Sequence, residues 1–283
     1  MSGAVQRAAN GEFEAHTADG AVLRGCSQGE GPVLLLVSGL SGTAAFWDDN
    51  AATLARSFRV IRFDQRGIGA STRGIAPATI DQLAQDCRAV LDAAGAERAV
   101  LIGHSTGGCI GQSLARQAPE RLDGLILSGS WLKQNRYMSA LFETRLAILD
   151  QHPRAYAASA TLMAYPPAWL EAHWNVYEAA VAAAPATAEA RRVVRERIDA
   201  LRSFDGSAWS ASLTLPILIL GARDDMIVPA FLQDELAAGL PGARKTMLDT
   251  GGHFFPISRP DAFTANVAEW VGALAPRSGP TGS

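Results

Sequence analysis

The residues best suited to chemistry in this 283-residue chain are Gly103-His104-Ser105-Thr106-Gly107. A serine between two glycines, each one residue removed, suits a turn too sharp for side chains on either flank. Val100 to Gly103 is a short apolar run with β-branched residues, as in a buried parallel strand. A helical pattern through Ile110, Leu114 and Ala115 follows, and Pro119 ends it. Strand, tight turn and helix would hold the Ser105 hydroxyl above a sheet at a helix N-terminus. Free N–H groups and the helix dipole there favour a developing oxyanion.

A serine hydroxyl needs a base, and the base needs an acid to fix its tautomer. The chain has five histidines. His104 lies inside the turn, and His16, His152 and His173 fall on an edge hairpin or in a helical stretch. His253 follows a late strand in a Gly251-Gly252-His253 loop and is the expected base. Asp224 and Asp225 follow another strand, and either spacing rule for the acid can be applied. Counting from Gly221 selects Asp224, whereas counting back from Pro229 selects Asp225. Asp225 is preferred because Asp-x-x-Val-Pro sets where the next helix starts. The loop Ser38-Gly39-Leu40-Ser41-Gly42 ends a further strand, so the backbone N–H groups of Leu40 and Thr106 are expected to form an oxyanion hole. Gly39, His104 and Trp131 are expected to line the substrate pocket.

The elements that position these groups are legible in order. Glu12 to His16 and Ala21 to Cys26 flank the turn signal Asp19-Gly20 and make an antiparallel edge. Apolar strands follow at Val33–Val37, Arg59–Phe63, Val100–His104, Leu122–Ser128, Ile217–Leu220 and Lys245–Leu248. Thr79 and Gln82 form a capping-box pattern before a helix. The charged residues of Asp64-Gln65-Arg66 are expected to hold their own loop by internal ion pairs. Alternating strands and helices predict an α/β fold: a mostly parallel eight-stranded sheet with helices on both faces. Ligand-binding residues then gather at the carboxyl edge.

From about 131 to 210 strand signals vanish and helical periodicity dominates, broken by Pro153, Pro166-Pro167 and Pro185. Residues 131–210 are therefore expected to form a helical cap inserted into a core of residues 1–130 and 211–283. Its aromatic residues are expected to pack the cap together. Arg191, Arg192, Arg195 and Arg197 are expected to form its solvated face. Met1 to Asn10 is expected to be a loose arm, and Arg277 to Ser283 a polar tail.

Composition narrows the function further. A net charge of −3 argues against nucleic acid or an anionic membrane as partner. No run reaches transmembrane length and no secretory signal opens the chain, so a cytoplasmic protein is expected. Cys26, Cys87 and Cys109 are widely spaced, which suits buried thiols rather than a disulfide framework. No clustered ligands suggest a metal, and no cofactor is expected. A small-molecule substrate is the expected partner, with homodimerisation left open.

The serine motif, the Ser38-Gly39 loop, Asp64-Gln65-Arg66-Gly67-x-Gly69, Asp225-x-x-Val228-Pro229 and Gly252-His253 together resemble the α/β-hydrolase superfamily. The resemblance covers about Glu12 to Ala275, and serine, acid, histidine is that family's chain order. Within it, Ser38-Gly39-Leu40, Trp131-Leu132 with Asn135, Tyr165-Pro166 with Trp169, and Asp224-Asp225 resemble the aminoacrylate hydrolases of pyrimidine breakdown. Many superfamily members carry His-Gly at the oxyanion loop, and here Ser38 stands in place of that histidine. The implied activity is serine hydrolysis of a small ester, lactone, amide or carbamate. The same groups would also serve cofactor-free C–C hydrolysis or perhydrolysis. A non-turnover binder ranks last, since it has no need of all three groups.

Overall fold

The computed structural model describes residues 11–274, so the expected N-terminal arm and C-terminal tail lie outside the described residues. The strands are β1 (Gly11–His16), β2 (Val22–Gln28), β3 (Val33–Val37), β4 (Arg59–Phe63), β5 (Ala99–His104), β6 (Leu122–Ser128), β7 (Ile217–Ala222) and β8 (Arg244–Leu248). They form one eight-stranded sheet in the order β1-β2-β4-β3-β5-β6-β7-β8. β1 pairs antiparallel with β2, and β2 with β4; every other pairing is parallel. The sheet is the mostly parallel α/β arrangement that the alternating pattern predicts.

Strand residues alternate between two apolar layers, as a two-residue repeat requires. Leu35, Val37, Leu101, Leu125, Leu127 and Ile219 face one layer. Leu34, Leu36, Val100, Ile102, Ile126 and Leu218 face the other. Helices α1 (Asp48–Leu54) and α11 (Pro260–Gly272) cover the second face through Ala51, Leu54, Phe263 and Val267. Helices α2 (Ile80–Ala93), α3 (Thr106–Gln117) and α9 (Ala230–Gly239) cover the first through Leu83, Val90, Ile110, Leu114 and Leu232. A four-residue helix α10 (Phe255–Ser258) precedes α11.

Five α-helices stand between β6 and β7: α4 (Arg136–Gln151), α5 (Pro153–Ala164), α6 (Pro167–Ala172), α7 (Trp174–Ala182) and α8 (Ala188–Arg202). The chain enters and leaves this inserted helical region at one place. Lys133 and Asp205 form an antiparallel bridge, and Gly206 N donates to Leu132 O at 2.9 Å. Asn135 caps α4 by accepting from Met138 N at 2.9 Å, and Thr187 caps α8 by accepting from Ala190 N at 3.1 Å. Pro153 and Pro167 occupy first helical positions, where their missing N–H costs no bond. Tyr165, Trp169 and His173 stack in a row, with centroids 4.7 and 4.1 Å apart.

Three local expectations are corrected. Thr79 accepts from Gln82 N at 3.1 Å, but the Gln82 side chain donates to Asp86, so only half of the capping box forms. Cys26 is half-buried, whereas Cys87 and Cys109 are buried as expected. Arg66 does not pair within its own loop. Its guanidinium donates to both Asp86 oxygens at 2.6 Å and to Asp19 Oδ2 at 2.9 Å, tying the loop to α2 and to the β1–β2 turn. The loop's own carboxylate, Asp64, instead accepts from Ala44 N and Ala70 N.

Both Arg66 and Asp86 are shut off from solvent, with side chains 0% and 1% exposed. Removing the cation would strand a buried carboxylate. Arg66→Met is therefore expected to cost about 3–5 kcal/mol in urea unfolding. Arg66 also holds the Asp19 carboxyl well below the usual carboxylate range. That stabilisation is complete above the unfolded carboxylate pKa of about 3.9. It is lost as the pH falls from there through the depressed native value, and the Arg66→Met variant, left with only the Thr17 and Ala76 donors, should show a weaker acid-range dependence.

Candidate active site

Ser105 is the only non-glycine residue with positive φ among the described residues, at φ 55° and ψ −122°. Such a conformation costs on the order of 1–3 kcal/mol and persists only where neighbours enforce it. Here the enforcement is direct. Ser105 N donates to Ser128 O at 2.7 Å on β6, and Gly108 N donates to Ser105 O at 2.9 Å as α3 begins. The flanking glycines leave no room for side chains. A Cβ on Gly103 would lie 2.2 Å from Gly107 O, and one on Gly107 would lie 2.1 Å from Val37 O. The strand–turn–helix packing thus dictates glycine at both positions, and the serine takes the strained one.

Of the two adjacent carboxylates, Asp225 is the one joined to the histidine. Its Oδ2 lies 2.8 Å from His253 Nδ1, and both side chains are buried. Its Oδ1 accepts from Ile227 N and Val228 N, each at 2.8 Å. The Asp-x-x-Val-Pro spacing therefore has a local cause: amides two and three residues on close the loop over the carboxylate before α9 starts. Asp224 turns the other way. It accepts from Thr250 Oγ1 at 2.6 Å, Gly252 N at 2.9 Å and Gly251 N at 3.2 Å. Partial burial pushes its pKa up, but these donors outweigh it and the net shift is downward.

Asp224 thus shapes the loop that carries His253. Asp224→Ala should cost about 1–2 kcal/mol of stability through three lost hydrogen bonds. It should also reduce kcat more than KM. Urea titration and ester kinetics check both.

His253 and Ser105 make no hydrogen bond to each other among the described residues. They share neighbours instead. A Cβ built on Gly129 would fall 3.5 Å from His253 Nδ1, and Gly129 directly follows Ser128, which holds Ser105 N. The His104 ring lies 4.9 Å from the His253 ring. Contacts between nucleophile and base are often long before substrate binds.

The Ser38–Gly42 loop closes against the serine. A Cβ on Gly39 would lie 3.0 Å from Ser105 Cβ and 3.5 Å from Ser105 Oγ, so it would press on the serine side chain. No hydrogen bond of the described residues takes up the amides of Leu40 or Thr106. Thr106 opens α3, where an N–H has no intrahelical partner.

The structure places two expected pocket residues in the core. His104 is fully buried among Phe46, Trp47, Phe254 and Phe255, with Nδ1 3.0 Å from Ser128 Oγ. Burial, with the nearby His253 second, holds its pKa well below the ordinary histidine value, so the ring is neutral. Trp131 belongs to the main apolar cluster, and Gln112 Nε2 donates to its carbonyl at 3.0 Å. Cys109 is likewise core, and burial raises its thiol pKa far above the usual range. Among the described residues, no cluster of side chains could hold a metal ion, and no helix is long and apolar enough to cross a membrane.

Arg197 overturns the solvated-face expectation. It is 1% exposed and reaches from α8 to the Ser38–Gly42 loop, donating to Leu40 O at 2.8 Å and Gly39 O at 3.0 Å. Gln65 was also missed as a site residue. It accepts from Arg197 Nη2 at 2.6 Å and donates to Ser38 O at 2.7 Å. A sequence signal for Arg197 exists: it falls four residues after Val193 and four before Leu201, on the buried stripe of its helix.

A strained serine at a helix N-terminus, a bonded aspartate–histidine pair and a mostly parallel sheet define an α/β-hydrolase. The chain belongs to the alpha/beta hydrolase fold family, whose model matches residues 32–260. It is 36% identical over 247 residues to RutD of Azorhizobium caulinodans, a protein named as a carbamate hydrolase, covering 87% of this chain and 93% of that one. RutD of Variovorax paradoxus is also 36% identical, over 87% of this chain and 94% of that protein. A solved hydrolase from Pseudomonas aeruginosa superposes with TM-score 0.82 at 32% identity, over 94% of this chain and 100% of that chain. The enol-lactonase of Burkholderia xenovorans shares the fold, with TM-score 0.81 at 24% identity, over 92% of this chain and 99% of that one.

Proposed function

We propose that this hydrolase cleaves a small carboxylic ester, lactone, amide or carbamate through an acyl-enzyme on Ser105. The observation that carries this reading is the forced backbone of Ser105, a strain that a structural serine has no reason to bear. His253 Nε2 takes the Ser105 proton as Oγ bonds to the substrate carbonyl carbon, then gives it to the leaving group. Asp225 fixes the His253 tautomer with the proton on Nδ1 and stabilises the imidazolium. The Leu40 and Thr106 amides receive the oxyanion. Water, activated by the same histidine, then releases the acid and restores Ser105.

Carbamates stay among the candidate substrates because relatives at 36% identity are named as carbamate hydrolases. Three cysteines without a disulfide fit a reducing compartment such as the cytoplasm. The test is product analysis on short-chain p-nitrophenyl esters, small lactones, carbamates and a vinylogous 1,5-diketone. Turnover of the acyl substrates is expected. Exclusive cleavage of the diketone would overturn the reading in favour of C–C hydrolysis. Tight binding without any product would overturn it in favour of a binder.

A further inference from the structure

We infer that Arg197 is a positioning residue through which the helical insertion sets the oxyanion-binding loop. This rests on the acyl-transfer reading above. The guanidinium and Gln65 together hold three successive carbonyls: Ser38 O through Gln65 Nε2, Gly39 O through Arg197 Nη2 and Leu40 O through Arg197 Nε. Arg197 Nη2 also donates to Gln65 Oε1, which makes the two side chains one scaffold. Gly42 N donates to Gly39 O as well, at 3.0 Å, so that carbonyl is fixed twice.

The consequence follows from peptide geometry. In a trans peptide the C=O and the next N–H share a plane and point in opposite directions. None of the described peptides is cis. Fixing Gly39 O toward Arg197 therefore turns the Leu40 N–H the opposite way, off the scaffold. The Cβ direction of Gly39 already faces Ser105, 3.0 Å from its Cβ. The Leu40 amide is thus presented to the serine without a protein acceptor of its own. Four of the five loop residues are glycine or serine, and the one turn bond, Gly42 N to Gly39 O, leaves the Ser38 and Leu40 carbonyls to Gln65 and Arg197.

The energetic cost supports a role beyond packing. Arg197 makes no ion pair with a carboxylate among the described residues, and its Nη1 has no hydrogen-bond partner. Burial lowers its pKa to about 10, with the more distant Asp86 opposing this, so it remains charged at neutral pH. A buried, unpaired charge is costly relative to a packed apolar side chain. The positive charge sits behind the peptide that would receive the oxyanion, where it also favours the transition state. Because Arg197 comes from α8, displacement of the insertion would loosen the hole, coupling its placement to catalytic rate.

The test compares wild type, Arg197→Met, Arg197→Lys and Arg195→Met on a p-nitrophenyl ester, with phenylboronic acid as a tetrahedral mimic. Arg195 sits on the exposed side of the same helix and pairs with Asp150, so its variant should match wild type. For Arg197→Met, kcat should fall about 10²-fold, comparable to losing one oxyanion donor. KM should stay within about 3-fold, and phenylboronic acid affinity should fall in step with kcat, the signature of a transition-state defect. Arg197→Lys, which keeps the charge and one donor, should recover part of both, and it carries the test if the methionine variant does not fold. Folded Arg197 variants with wild-type kcat and boronate affinity would overturn the inference. So would a loss confined to KM, which would make Arg197 a substrate-binding group. Failure of wild type to turn over the ester, or undiminished turnover in Ser105→Ala, would sink the acyl-transfer reading instead.

Discussion

Ser105→Ala is expected to lower kcat by about 10³-fold or more on any ester the enzyme hydrolyses, the scale of loss when a triad member is removed. The fold should survive. Alanine keeps the Cβ that the turn already accommodates, and the bonds that enforce φ 55° are made by backbone atoms of Ser105, Ser128 and Gly108. Thermal stability should therefore stay close to wild type, so the lost rate is chemical rather than structural. Residual turnover is also expected, because the Leu40 and Thr106 amides would still polarise a carbonyl toward water. Steady-state kinetics on a p-nitrophenyl ester, beside a melting curve, check both halves.

Asp225→Asn should cost about 10⁴-fold in kcat, the scale of the equivalent change in another serine hydrolase. The reason lies in the two sides of this carboxylate. Oδ1 accepts from two backbone amides, at Ile227 and Val228, whereas Oδ2 meets His253 Nδ1. An asparagine must keep its oxygen on the amide side, since an NH₂ there would face two donors. Its NH₂ then points at His253 and requires an unprotonated Nδ1. The proton moves to Nε2, the atom proposed to accept from Ser105. Stability should change little, because the loop retains its acceptor. Activity within about 10-fold of wild type would mean that the tautomer is set elsewhere.

The parallel strands were legible because each is short, apolar and bounded by turn residues. β3, β4 and β6 have the bounds that the pattern predicts. The serine turn was legible because only glycine fits on either side of it. The acid was narrowed to two residues by spacing, and the choice between them depends on which amides fold back on which carboxylate. Arg197 was misplaced because three neighbouring arginines on α8 do face solvent, and charge composition outweighed position. Its place on the stripe of Val193, Ile198 and Leu201 carried the better information. Arg66 was misjudged for a different reason: its partners Asp19 and Asp86 are 47 and 20 residues away, and nothing local names them.

The same contrast explains the fate of the two expected pocket residues. His104 follows Gly103 on β5 and alternates onto the same face as Val100 and Ile102, where its ring stacks on Phe46. Trp131 ends the segment after β6, where the apolar cluster encloses it. For His104, strand alternation is a better guide than its place beside Ser105 in the sequence.

The proposed hydrolysis depends above all on an activated Ser105 oxygen. The decisive measurement is labelling of the native enzyme with a fluorophosphonate, followed by peptide mapping alongside residual ester hydrolysis. Stoichiometric modification of Ser105, matched by loss of activity, is predicted. Continued hydrolysis with Ser105 unmodified, or inactivation through modification of a different residue, would contradict it.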